Sequence, residues 1–226
     1  MQLKLNIKFS IAFISLHFIM HELHELVHTA VGRLICGCWG QRDFNVWQLC
    51  EGCMESHSIA VLAVFAGPLF TFMMIWIGVY ILKAASTNQQ KAFGFAFIFA
   101  NNPFARIFTA AMGKGDEVSG LNTLLHNHTL AWVIGLAIVL LLTVFPLYKT
   151  FTIINNKKRA GYLLLFLFAP MVLDLVIVFG LMNTLLKKDI LSSYWILGCP
   201  VLVTLFTTLV TIVFISNRKY IYTLTQ

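Results

Sequence analysis

IKFSIAFISLHFIMHELHELVHTAVGRLI, running from Ile7 to Ile35, is the stretch whose reading decides the fold. It is long enough to cross a bilayer as a helix, for which about 20 apolar residues suffice. Within it stands His21-Glu22-Leu23-His24-Glu25-Leu26-Val27-His28, three histidines and two carboxylates inside an apolar run. Ionisable groups at that depth are costly and mark sites of function. His24-Glu25-Leu26-Val27-His28 is an HExxH. Residues four apart share a helix face, so both imidazoles can reach one metal ion, and Glu25 lies beside them as a general base.

The rest of the chain agrees with a membrane setting. Its 226 residues are 59% hydrophobic and 11% charged, where a soluble domain carries about 25% charged residues. The predicted fold class is all-α, a polytopic transmembrane helix bundle forming a single integral membrane domain over residues 1–226. Six spans can be drawn, near 7–35, 59–82, 92–112, 130–148, 161–186 and 190–215. No period-2 pattern is present, which excludes a membrane barrel. The net charge of +7 does not point to nucleic acid, because the Lys and Arg residues sit at span ends, where they anchor and orient a membrane protein. The first apolar run is followed by no small-residue cleavage site, so it reads as an uncleaved span.

With six spans both termini share one side, together with Lys4, Lys8, Lys83, Lys91, Lys149, Lys157, Lys158, Arg159, Arg218 and Lys219. The positive-inside rule then predicts cytoplasmic termini in a cytoplasmic membrane. The first external loop, 36–57, holds Cys36, Cys38, Cys50 and Cys53, four of the five cysteines. On an outer face such a set reads as two disulfides with three possible pairings, with a structural zinc site as the rival. Cys199 reads as a small buried residue of the last span.

Two later segments bear on the motif. The third span is interrupted by Asn101-Asn102-Pro103 and followed by Arg106; irregular polar backbone at that depth is tolerated only against protein or a water-filled cavity. It leads into Gly113-Lys114-Gly115-Asp116-Glu117, read as a flexible turn delivering two carboxylates, and then a polar loop with His126 and His128 as surface residues. The fifth span carries Asp174, which needs a partner such as Arg106, a histidine or a metal. A catalytic zinc keeps three protein ligands and an open fourth position. His24 and His28 supply two, and Asp116 is the first choice for the third. His21, Glu117, Asp174 and Asn102 are the further candidates, as alternative ligands or as groups that orient the ligands. In the second span Gly67 predicts a close helix contact and Pro68 a kink.

His24-Glu25-Leu26-Val27-His28, Ala66-Gly67-Pro68-Leu69 and the Asn102-Pro103 break ahead of Asp116 resemble the motifs of site-2 protease-type intramembrane zinc metalloproteases. The resemblance covers the first half of the chain, and only its first motif is specific. It implies His24, His28 and Asp116 as zinc ligands and Glu25 as the catalytic glutamate. The family's third motif commonly runs into Asp-Gly, whereas here Glu117 follows Asp116. The expected function is that of an intramembrane zinc endopeptidase, hydrolysing peptide bonds in or near the bilayer by metal-activated water, with one catalytic zinc and a membrane-protein or peptide substrate. The alternative is a divalent-metal transporter or sensor built on the membrane His/Asp cluster. A carboxylate-bridged di-metal oxidase ranks last, because no second Glu-x-x-His is present on the other spans.

Overall fold

The computed structural model describes residues 1–84 and 87–225, and among them the chain is helical, with only isolated bridges at Arg42–Trp47 and Tyr194–Pro200. Helix α1, Ile7–Cys36, begins where the Asn6 side chain accepts from Phe9 N at 2.8 Å. It ends where Gly37, at φ 78°, turns the chain back and returns its N–H to Arg33 O. A 3-10 turn, Ser58–Val61, leads into α2, Leu62–Ala84.

Helix α3, Asn88–Ala100, starts with a Thr87–Gln90 capping box. Asn102 then adopts φ 46° and accepts from Ala105 N, starting α4, Pro103–Ala111. The third apolar stretch is thus two short helices, because Pro103 offers no N–H and disfavours a helical residue before it.

Helices α5 (Asp116–Leu125) and α6 (His128–Ile153) follow, separated only by His126 and Asn127. The polar loop expected across 121–129 is therefore mostly helix. Asp116 and Glu117 occupy the first turn of α5, where a carboxylate complements the helix dipole, rather than a flexible turn. Helix α7, Arg159–Leu173, runs on as a π-helix over Asp174–Met182 and ends with Asn183–Lys187. Helix α8 spans Val201–Asn217 and passes into a 3-10 turn, Arg218–Thr225.

The sixth stretch, read as 190–215, is helical only from Val201. Asp189, Leu191 and Leu197 all have positive φ, which breaks the helix before Pro200. Cys199 is buried, as expected, but precedes the helix. Among the described residues, four helical stretches are long and apolar enough to cross a membrane: Ser58–Lys83, His128–Ile153, Arg159–Lys187 and Val201–Thr225.

The bundle has two distinct ends. At one, Lys4 N donates to Leu224 O, Asn155 N to Met1 O, and Leu3 N to the Asn156 side chain. At the other, Arg42 N donates to Gly198 O and the Asn183 side chain to Asn45. Between them, α1 lies against α2, α3 and α8, and Phe9, Phe13, Phe95, Phe99 and Phe166 form an aromatic core toward the end that holds the termini.

Candidate metal centre

The face of α1 that carries the ionisable residues is covered by α2, α4, α5 and the start of the π-helix. His24 and His28, one turn apart, hold their Nε2 atoms 3.2 Å from each other. Asp116 Oδ2 lies 3.3 Å from His24 Nε2 and 3.7 Å from His28 Nε2. An ion held tetrahedrally at 2.0–2.1 Å spaces its donors about 3.3 Å apart, so this triangle already has the dimensions of one face of a zinc site. Among the described residues these three form the group whose donor atoms lie close enough to hold a metal ion.

The other ring nitrogens are spoken for. His28 Nδ1 donates to Ala63 O at 2.7 Å, and His24 Nδ1 meets Thr71 Oγ1 at 2.8 Å. Both partners lie in or just inside α2. A carbonyl can only accept, so His28 carries its hydrogen on Nδ1 and turns a lone pair toward Asp116, the arrangement that metal-ligating histidines use. The His28 ring is also fixed from both sides. Trp47 stacks on it with centroids 4.3 Å apart and planes 10° apart. Gly67 lies against its edge, where an added Cβ would overlap the ring. The close contact expected at Gly67 is thus made with the histidine itself, and Pro68 sits within α2 without ending it.

Asp116 is held by Arg106, whose Nη1 donates to Oδ2 at 2.8 Å. The same Nη1 comes within 3.6 Å of Glu117, whose buried oxygens make no hydrogen bond among the described residues. Glu25 is buried, and its Oε2 has no hydrogen-bond partner among the described residues. It lines a polar cavity of about 70 Å³ together with His17, His21, His24, Asn102 and Asp174. That is room for water, whose share of liquid volume is about 30 Å³. Glu25 also lines a larger cavity of about 700 Å³, with Arg106 and Asp116 at its polar end and Phe108, Met171, Leu175 and Phe179 as an apolar wall.

Asp174, a competitor for third ligand, belongs to a separate cluster. Its Oδ1 meets His17 Nε2 at 2.9 Å and His21 Nδ1 at 3.1 Å, and its Oδ2 accepts from Asn102 Nδ2 at 2.8 Å. His17 Nδ1 in turn donates to Ala100 O at 3.0 Å, where α3 ends. Asp174 finds histidines and an asparagine, and Arg106 goes to Asp116.

The cysteine loop is the lid of this assembly. Cys36 is bonded to Cys53 and Cys38 to Cys50. The segment between them folds back so that Arg42 Nη1 reaches Glu22 Oε2 of α1 at 2.8 Å, with both side chains buried. Phe44 is buried beside Phe18, Val203 and Phe206, and Trp47 covers His28.

The structure therefore gathers His24, His28, Asp116 and Glu25 in one place, keeps His21, Asn102 and Asp174 together beside it, and leaves Glu117 behind Arg106. Sequence reasoning missed His17, Thr71, Trp47 and the role of Arg42. Of these only His17 had a signal, since it stands four residues before His21. No family model, curated protein or solved structure matches the chain.

Proposed function

We propose that this chain is an intramembrane metallohydrolase of the site-2 protease type, cutting peptide bonds of membrane-embedded or membrane-proximal substrates with one zinc ion. The observation that carries it is the His24–His28–Asp116 triangle beside a buried Glu25 whose Oε2 has no hydrogen-bond partner among the described residues and which lines a cavity. A bound zinc ion would supply Lewis acidity and an activated water. His24 and His28 present lone pairs, Asp116 supplies the third donor, and Arg106 orients that carboxylate. Glu25 takes the first proton of the attacking water. The apolar wall of the larger cavity excludes bulk water and suits an unwound apolar segment of a substrate.

Two further helical stretches complete a six-span topology in this proposal. Helix α1, at 30 residues, is about 45 Å long. The α3–α4 pair is broken where it lines the polar cavity. The meeting of residues Lys4 and Leu224 at one end agrees with an even number of spans, and the Lys and Arg residues near that end support a cytoplasmic side in this reading. A metal-conducting pathway has less support, because both oxygens of Asp174 are already engaged by His17, His21 and Asn102.

The test is metal content and proteolysis of the purified protein. Wild type carries one zinc per chain, Glu25→Gln keeps the zinc and loses cleavage, and His24→Ala loses both. Metal flux into proteoliposomes that survives Glu25→Gln would establish the transporter reading instead.

A further inference from the structure

We infer that His21, oriented by Asp174, is a second acid–base residue of this site, working opposite Glu25; the inference rests on the hydrolase reading above. His21 Nδ1 is 3.1 Å from Asp174 Oδ1. That carboxylate is fixed independently by His17 Nε2 at 2.9 Å on the same oxygen and by Asn102 Nδ2 at 2.8 Å on the other. It cannot turn away without breaking both contacts. The neutral form of His21 therefore keeps its hydrogen on Nδ1 and presents a bare Nε2, just as an aspartate orients the histidine in a serine-hydrolase triad. No described residue hydrogen-bonds that Nε2, and His21 lines both cavities that Glu25 lines, one helical turn from it.

Two features argue against a purely structural role. A cluster that served only to join α1 to α7 would be complete with His17, since His17 already links Ala100 O to Asp174. The π-helix begins at Asp174 itself; such register shifts concentrate at functional sites, and this one starts where the carboxylate faces α1.

The chemistry supplies a task. Hydrolysis places the water oxygen on the carbonyl carbon, breaks the C–N bond and moves both water protons to the departing nitrogen. Glu25 holds the first of these protons. In its neutral form His21 takes the second at Nε2 as the C–N bond breaks and returns it to the amine, so that the products are a carboxylate and an ammonium and His21 is regenerated. Asp174 is then a positioning residue that acts through His21. The groups facing His21 are His17, Glu22 and Glu25 on its own helix, Arg106 on α4, and Asp174 on α7.

Side-chain nitrogen NMR of isotope-labelled histidine in detergent micelles tests the geometry without any activity. The His21 signal, identified by its loss in His21→Gln, is expected as the Nδ1–H tautomer and is expected to change in Asp174→Asn. An Nε2–H tautomer in wild type, or a signal indifferent to Asp174→Asn, overturns the inference. Cleavage of a quenched-fluorescent peptide library tests the role. His21→Gln is expected to keep one zinc per chain and to lose about a hundredfold or more in kcat with little change in KM. Wild-type kcat in His21→Gln overturns the His21 role alone, and absence of Glu25-dependent cleavage by wild type overturns the hydrolase reading on which it rests.

Discussion

Two aspartates meet the same face of α1, each between histidines one turn apart, and they meet it differently. Asp174 Oδ2 accepts from Asn102 Nδ2, and its Oδ1 is met by His17 Nε2 and by His21 Nδ1, of which His21 donates while its other ring nitrogen has no partner among the described residues. Asp116 faces two Nε2 atoms that are 3.2 Å from each other, while the Nδ1 of each is already engaged. With the His28 Nδ1 hydrogen committed to Ala63 O, two converging Nε2 atoms beside a carboxylate make a place that a cation would satisfy. The difference teaches that His-His-Asp composition does not define a metal site. What sets the Asp116 group apart is that two Nε2 atoms converge on each other and on one carboxylate oxygen, all within 3.7 Å.

Exchanging or removing the two aspartates breaks this comparison most directly. Asp116→Asn and His28→Ala are expected to abolish stoichiometric zinc, measured by elemental analysis after gel filtration. Asp174→Asn is expected to retain one zinc per chain. Equal loss in both aspartate variants would mean that the clusters form one site. Glu25→Gln should leave zinc content intact while lowering turnover by about 10²–10⁴, the range for removing a general base.

Much of the first cluster was legible in the sequence, because helical periodicity alone places His24 and His28 on one face and the cost of burial marks them. Asp116 was legible as the first choice among several candidates and no more. Its selection depends on Asp116 standing in the first turn of a helix, α5, which starts at the close of a glycine-flanked turn, and no local pattern distinguished that helix from a loop. That Asp174 needs a partner such as a histidine was legible, but which histidines was not, since 157 residues separate it from His17 and the contact is set by how α7 packs. The cysteine loop concealed the most. Its even cysteine count predicted disulfides, but nothing in its composition showed that Arg42 would enter the bundle to meet Glu22 or that Trp47 would lie on His28.

The loop sharpens the comparison from outside, because its Trp47 stacks directly on His28 of the metal-type cluster, whereas toward Asp174 it only shares the wall of the larger cavity. Gly67→Ala forces a Cβ into the His28 ring; overpacking of this kind costs about 1–3 kcal/mol. It is expected to lower both the thermal midpoint and zinc affinity, whereas a glycine-to-alanine change at exposed Gly161, where an added Cβ meets nothing, should leave zinc affinity alone and, within helix α7, raise the midpoint slightly. Arg42→Ala leaves Glu22 buried without its partner, and breaking a buried pair in this way costs about 3–5 kcal/mol. Arg42→Met with Glu22→Leu removes both charges and should recover most of that loss in the same melting assay. If the single variant melts like wild type, the loop is not seated on α1.

The smallest expected effect lies at the rim of the lid, where the Tyr194 hydroxyl donates to Asp43 Oδ1 at 2.7 Å. Partial burial, and then the Asp43 carboxylate, push the phenol up to about 12 from its ordinary value of 10. The folded state thus holds this proton more tightly than the unfolded chain does. The contribution is complete below pH 10 and is lost as pH rises through about 12. Tyr194 is more than a third exposed, so solvent screens the interaction and the change in stability is small. The phenolate absorbance of wild type minus that of Tyr194→Phe is expected to show one tyrosine titrating late. Asp43→Asn should bring that titration back toward the ordinary range. Zinc content should be the same in all three proteins, because this contact ties one loop to another and reaches neither aspartate on α1.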